Sequence, residues 1–182
     1  LRTCVPRVRN IRFDILKLNI QPATTPSGEL PRILNDIDRY SRAEVDVVRQ
    51  FNLGAPSPVS EFNINGEQMN MMTVNEVVWI NDVEQWQIRN LTNRPHPFHV
   101  HDTQFLILDR NGRRPPANER GWKDTVLVNP GDTVNIVMQF TEFADADTPY
   151  MYHCHILEHE DAGMMGQFTV VNRPETSDTT PP

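Results

Sequence analysis

The sequence predicts an all-β protein, a sandwich or closed barrel, and three observations carry that expectation. From about residue 45 onward, apolar and polar side chains alternate in many short runs, the period of a strand with one buried face. Turn signals separate the runs: Asn65-Gly66, Arg110-Asn111-Gly112 and Pro130-Gly131-Asp132. Fifteen prolines stand against eight glycines, a balance that disfavours helix interiors and central strands and favours short strands between ordered loops.

In order along the chain, residues 8–20 (VRNIRFDILKLNI) alternate with one or two slips of phase and read as a strand with a bulge. Residues 21–32 hold Pro22, Pro26, Gly28 and Pro31 and read as a linker. A short helix is expected within residues 33–44, around Ile33, Leu34 and Ile37. Val45, Val47 and Phe51 then alternate with charges, and EFNINGEQM reads as strand, turn and strand. The runs VVWI, QWQIRNL, HPFHVHDTQFLILD, DTVLV, DTVNIVMQF, YMYHCHI and GQFTVV follow as strands. Many short strands at close spacing close into a sandwich or barrel. The last ten residues, 173–182, have nothing to bury and are expected to form a disordered tail.

Composition narrows the function. A net charge of -7 argues against nucleic acid as a partner, because phosphate binding needs clustered Lys and Arg. The acidic excess reads as solvated surface. No run of about 18 apolar residues is present, so no membrane span is expected. The two cysteines, Cys4 and Cys154, could pair, but Cys154 sits between two histidines and is the better metal ligand.

All six histidines fall in two clusters: His96, His99 and His101, then His153, His155 and His159, with Cys154 and Met164 in the second. Side chains on a strand alternate faces. His99 and His101 therefore share a face, as do His153 and His155, and Cys154 points the opposite way from its neighbours. His96, three residues before His99, also points away from His99 and His101. Two donor sets back to back result. One holds His96, Cys154, His159 and Met164: two imidazoles, a thiolate and a thioether, the description of a blue copper electron-transfer site. Met165 is the alternative thioether, and spacing alone favours Met164. The other set holds His99, His101, His153 and His155, which is unlike a structural zinc site closed by cysteines and suits part of a cluster of several metals. One strand thickness would separate the sets, on the order of 10 Å between centres.

The motif His96-Pro97-Phe98-His99-Val100-His101, taken with His153-Cys154-His155-Ile156-Leu157-Glu158-His159-Glu160-Asp161-Ala162-Gly163-Met164, closely resembles the two C-terminal copper motifs of the multicopper oxidases. That family includes laccases, bilirubin oxidases and bacterial cuprous oxidases. GWKDTVLVNPGD and FNINGEQMNM look like its bacterial branch, and the resemblance covers roughly residues 60–171.

The resemblance implies a cupredoxin-like Greek-key β-barrel over residues 44–172. It implies type 1 copper on His96, Cys154, His159 and Met164, type 2 copper on His99, and a type 3 pair on His101, His153 and His155. A complete family member has eight histidines on its three-copper cluster, so four would come from an N-terminal cupredoxin domain of the same protein. Residues 1–20 then look like the end of a preceding domain and 21–43 like the connection. Implied partners are a reducing substrate (a phenol, an aromatic amine or a metal ion) and O2, with export to the periplasm or cell exterior. Electrons would pass through Cys154. Glu160 would either relay protons for oxygen reduction or orient an imidazole by a hydrogen bond.

The family often has Gly where Asp102 stands, an exchange expected to change what surrounds the ligands without removing one. Met69, Met71 and Met72 read as core filler or a weak Cu(I) site, and Asp124 as a strand-edge charge or a partner to a ligand. Two rival functions stand beside the oxidase. A plain electron-transfer cupredoxin leaves four spaced histidines idle. A copper-free structural relative predicts lost ligands.

Overall fold

In the computed structural model, the described residues are 16–19, 21–22, 28–29, 31–32, 36–57 and 60–174. Ile37 onward forms one compact unit, and the segment Leu1–Asp36 forms another. Within the latter, the described residues belong to no helix or strand. The strand expected at residues 8–20 is therefore absent at 16–19, and its remainder lies outside the described residues, as does Cys4.

Among the described residues, the larger unit holds nine strands in two sheets. The first sheet runs in the order β1 (Val47–Leu53), β3 (Val83–Asn90), β7 (Thr133–Gln139) and β5 (Leu106–Arg110). The second runs β2 (Glu76–Trp79), β9 (Met165–Val171), β8 (Asp145–Cys154), β4 (His96–Val100) and β6 (Thr125–Val128). From β3 to β8 each strand lies in the opposite sheet from its predecessor, so the chain shuttles across the core, as the Greek-key expectation requires.

The core between the sheets is aromatic. Trp86 of β3 is fully buried, with its ring 4.5 Å from Phe51 of β1 and 5.6 Å from Phe168 of β9. Its indole N–H donates to the buried Glu84 carboxylate at 3.0 Å. Arg49 of β1 bonds that carboxylate at 2.7 Å and Glu76 of β2 at 2.6 Å, so one guanidinium ties the two sheets together. A buried carboxylate is tolerable only when partnered in this way.

The expected helix within residues 33–44 is replaced by extended chain and a single 3-10 turn at Arg42–Glu44; residues 33–35 lie outside the described set. Ile37, Tyr40 and Val45 pack instead on Val83, Leu106 and Val137. Their spacing serves a strap across the sheet rather than a helix face. EFNINGEQM forms the Asn65-Gly66 turn and isolated bridges from Ile64 to Glu67 and to Leu53, in place of two strands. The run from His96 to Asp109 is two strands, broken at Asp102, whose φ of 73° is left-handed and ends extension. Arg173, placed at the start of the tail, is paired with Asp82 at 2.7 Å.

Candidate metal centre

Strands β4 and β8 are neighbours, with Phe98 opposite Cys154 and His99 opposite His153. Cross-strand partners point to the same face. Phe98 and Cys154 therefore face the aromatic core, where both are fully buried, and His99 and His153 face away from it.

On the core side the Cys154 Sγ lies 3.5 Å from the Nδ1 atoms of both His96 and His159, and those nitrogens are 3.2 Å apart. An ion with bonds of about 2.0–2.1 Å to nitrogen and 2.3 Å to sulfur, arranged tetrahedrally, would set such atoms about 3.3 and 3.5 Å apart. The triangle thus has the size of a metal site before any ion is considered, and its soft sulfur with two imidazoles is the donor chemistry copper prefers. Cys154 is a free thiol, turned to these imidazoles.

Four devices hold the triangle. The His96 ring places Nε2 2.7 Å from the Thr92 hydroxyl, which in turn bonds Asn90 Oδ1 at 2.8 Å; this leaves Nδ1 for the sulfur side. Phe62 stacks on His159, 4.5 Å between centroids. A one-and-a-half-turn helix, α1 (Leu157–Asp161), carries His159 back over the core. The Cys154 N–H donates to the Met164 carbonyl at 3.0 Å, and the Met164 N–H to the His159 carbonyl at 3.0 Å. Thr92, Asn90, Phe62 and α1 carry no motif signal; only the short run NLTN before the first cluster hints at the hydroxyl.

The register separates the two methionines. Met165 is the cross-strand partner of His153 and so shares the outer face. Met164 is fully buried in the cluster that includes Cys154.

On the outer face, donor atoms of His99, His101 and His153 all lie within 4.8 Å of one another, and the Nε2 atoms of His101 and His153 are 3.2 Å apart. The fourth expected member, His155, is exposed, and its ring lies 5.4 Å from that of His99 and 5.5 Å from that of His153. It borders this group without joining the close triad. His99 Nδ1 sits 2.8 Å from the Asp124 carbonyl oxygen and 3.0 Å from the Thr125 hydroxyl. His153 Nδ1 is 3.2 Å from the Cys154 carbonyl oxygen and 3.4 Å from a Glu160 carboxylate oxygen. Glu160 thus touches the outer set although it follows a residue of the inner one. Asp124 acts through its backbone, while its carboxylate accepts from Thr125 at 3.0 Å.

Burial sets the protonation states. It pushes the His96 imidazolium down to about 4, aided by facing His159 and by Arg94, and lowers His101, His153 and His159. Neutral imidazole is the ligating form. Burial also pushes the Cys154 thiol up to about 11, so a metal would have to displace its proton.

Asp102 takes the left-handed backbone that glycine adopts freely; burial, against a hydrogen bond from Tyr150, raises its carboxyl. No donor of either set is displaced by it. Met69 donates its N–H to the Gly163 carbonyl at 3.0 Å, but Met71 and Met72 are 74% and 91% exposed and are not core filler.

Residues 40–174 match the family model described as multicopper oxidase. The chain is 41% identical over 113 residues to a multicopper oxidase of Staphylococcus haemolyticus, covering 60% of this chain and 24% of that protein. It is 32% identical over 157 residues to the cell division protein FtsP of Sodalis glossinidius, 83% of this chain and 31% of that one. Among solved structures, the laccase of Pediococcus acidilactici superposes with a TM-score of 0.71 at 35% identity, covering 81% of this chain and 32% of that chain. The chain spans about a quarter to a third of the length of these relatives. With the family model matched over most of its length and the fold shared, the chain belongs to the multicopper oxidase family.

Proposed function

We propose that this chain is the copper-bearing C-terminal part of an oxidase that takes electrons one at a time from a reducing substrate and uses them to reduce O2 to water. In this reading His96, Cys154, His159 and Met164 hold a type 1 copper. His99 belongs to a type 2 copper, and His101, His153 and His155 to a type 3 pair whose other ligands come from an N-terminal cupredoxin domain. Residues 44–172 form the copper domain, 21–43 the connection, 1–20 the end of the preceding domain, and 173–182 a tail. Copper would supply reversible one-electron chemistry at both sets.

The chain's own residues do the rest. Cys154 spans the two sets: its sulfur faces the first, and its peptide neighbours His153 and His155 belong to the second. An electron accepted at the sulfur reaches the imidazoles along the cysteine's own bonds. His159, 8% exposed against 1% for His96, is the edge through which an outside reductant would donate. Reduction of one O2 to two waters consumes four electrons and four protons. Glu160, 3.4 Å from His153 Nδ1 and half-buried, both orients that ring and offers a carboxylate between solvent and the outer set. The reductant is a phenol, an aromatic amine or a metal ion, and the protein works outside the cytoplasm. Among the described residues no helix is long and apolar enough to cross a membrane.

The observation that carries this reading is the register at β4 and β8, which turns Cys154 inward and His153 outward. A plain electron carrier needs only the inner set and leaves the outer triad without a role. A copper-free structural role is kept as the second reading, because one relative is named for cell division and not as an oxidase. Copper analysis and visible absorption of the full-length protein separate the three. Four coppers with blue colour and O2 consumption support the oxidase, one copper and colour without O2 consumption the carrier, and no copper the structural role.

A further inference from the structure

Away from both donor sets, a cavity of about 150 Å³ opens against the edge strand β5, lined by Arg39, Tyr40, Leu106, Leu108, Arg114 and Arg120 among others. A cavity near this volume admits a benzene-sized group. Its walls are unusual for so acidic a chain, with a net charge of -7. Three arginines line it, and no acidic residue is among the described residues around it.

Two acids of the neighbouring strand and turn, Glu119 and Asp109, are committed elsewhere. Glu119 accepts from Arg110 at 3.1 Å, and Asp109 is paired with Arg42 and bonded by Asn135. Among the described residues, Arg39, Arg114 and Arg120 have no acidic partner within ion-pair distance. Two of them are nonetheless held in place. An Arg39 Nη2 donates to the Arg120 carbonyl at 2.6 Å, and Arg120 Nε donates to the Pro115 carbonyl at 2.8 Å. An anion placed beside several arginines fills their forked donors. The floor is apolar. Leu108 lies at a bulge, since the ladder pairs Ile107 with Ile136 and then Asp109 with Asn135, and bulges recur where a strand is bent to serve a site.

We propose that this cavity binds the carboxylate of a small organic acid. Its charge lies among Arg39, Arg114 and Arg120, and its apolar body against Tyr40, Leu106 and Leu108. A bare inorganic anion would leave the apolar floor unused. The site is independent of copper, and nothing in it rests on the oxidase reading.

Benzoate and inorganic phosphate are the probes, titrated into the full-length protein with binding read by calorimetry and by the shift in melting temperature. Benzoate is expected to saturate and to stabilise. Arg114→Gln, which removes a side chain with no described bond to the rest of the chain, should weaken benzoate about tenfold or more while leaving the ligand-free melting temperature unchanged. Arg114→Lys should retain part of the binding. Phosphate should bind more weakly than benzoate. Absence of saturation by benzoate, equal binding to Arg114→Gln and the unsubstituted protein, or phosphate as tight as benzoate would each overturn the proposal.

Discussion

On one face of β8, Cys154 meets His96 and His159 inside the core, all three buried; on the other, His153 meets His99 and His101 at a surface where His155 stands exposed. The same strand serves both, yet the two groups are stabilised differently. The inner triangle is fixed by packing and by hydrogen bonds wholly within this chain. The outer one has its rings oriented from behind, by the Asp124 carbonyl, Thr125 and Glu160, and is open in front. A site that one domain completes can be pre-organised by that domain's folding. Under the proposed function a second domain completes the outer set, which this chain would then only half prepare.

Substitutions can break this contrast. The largest effect is expected for Cys154→Ser in the full-length protein: loss of the blue absorption and of O2 consumption together, with one copper fewer by metal analysis. Colour that survives would remove the sulfur from the assignment. His99→Ala should abolish O2 consumption while the blue absorption persists; loss of both would mean the faces are not separable. Glu160→Gln should lower turnover about 10- to 100-fold through the His153 contact, with colour unchanged and a steeper dependence of rate on pH. Met164→Leu should move the reduction potential of the blue site and Met165→Leu should not, which tests their division between faces. Smallest is Thr92→Val, which leaves His96 Nε2 without its hydroxyl partner. We expect a loss of about 1 kcal/mol in denaturant unfolding of the metal-free protein.

The opposite facing of Cys154 and His153 is legible in the sequence, because strand parity sends neighbours to opposite sides; His155 lies past the end of β8 and His159 on α1, where parity does not apply. His96 followed from the same rule, three residues from His99. What pattern could not supply is whatever depends on contacts distant in sequence. The helix α1 is too short to show a period. Asp102 breaks an otherwise strand-like run by its backbone conformation, which polarity does not reveal. Ile37 reads as part of a short helix with Ile33 and Leu34 because a strap across a sheet also needs spaced apolar residues. Phe62 reaches His159 only once the barrel closes, whereas Thr92 meets His96 across a local turn of four residues that carries no periodic signal.

The hydrogen bonds from Cys154 to Met164 and from Met164 to His159 close the intervening loop upon itself. The stretch that carries His159 is therefore anchored at both ends by its own main chain, and β8 and β9 are clamped together where it leaves them.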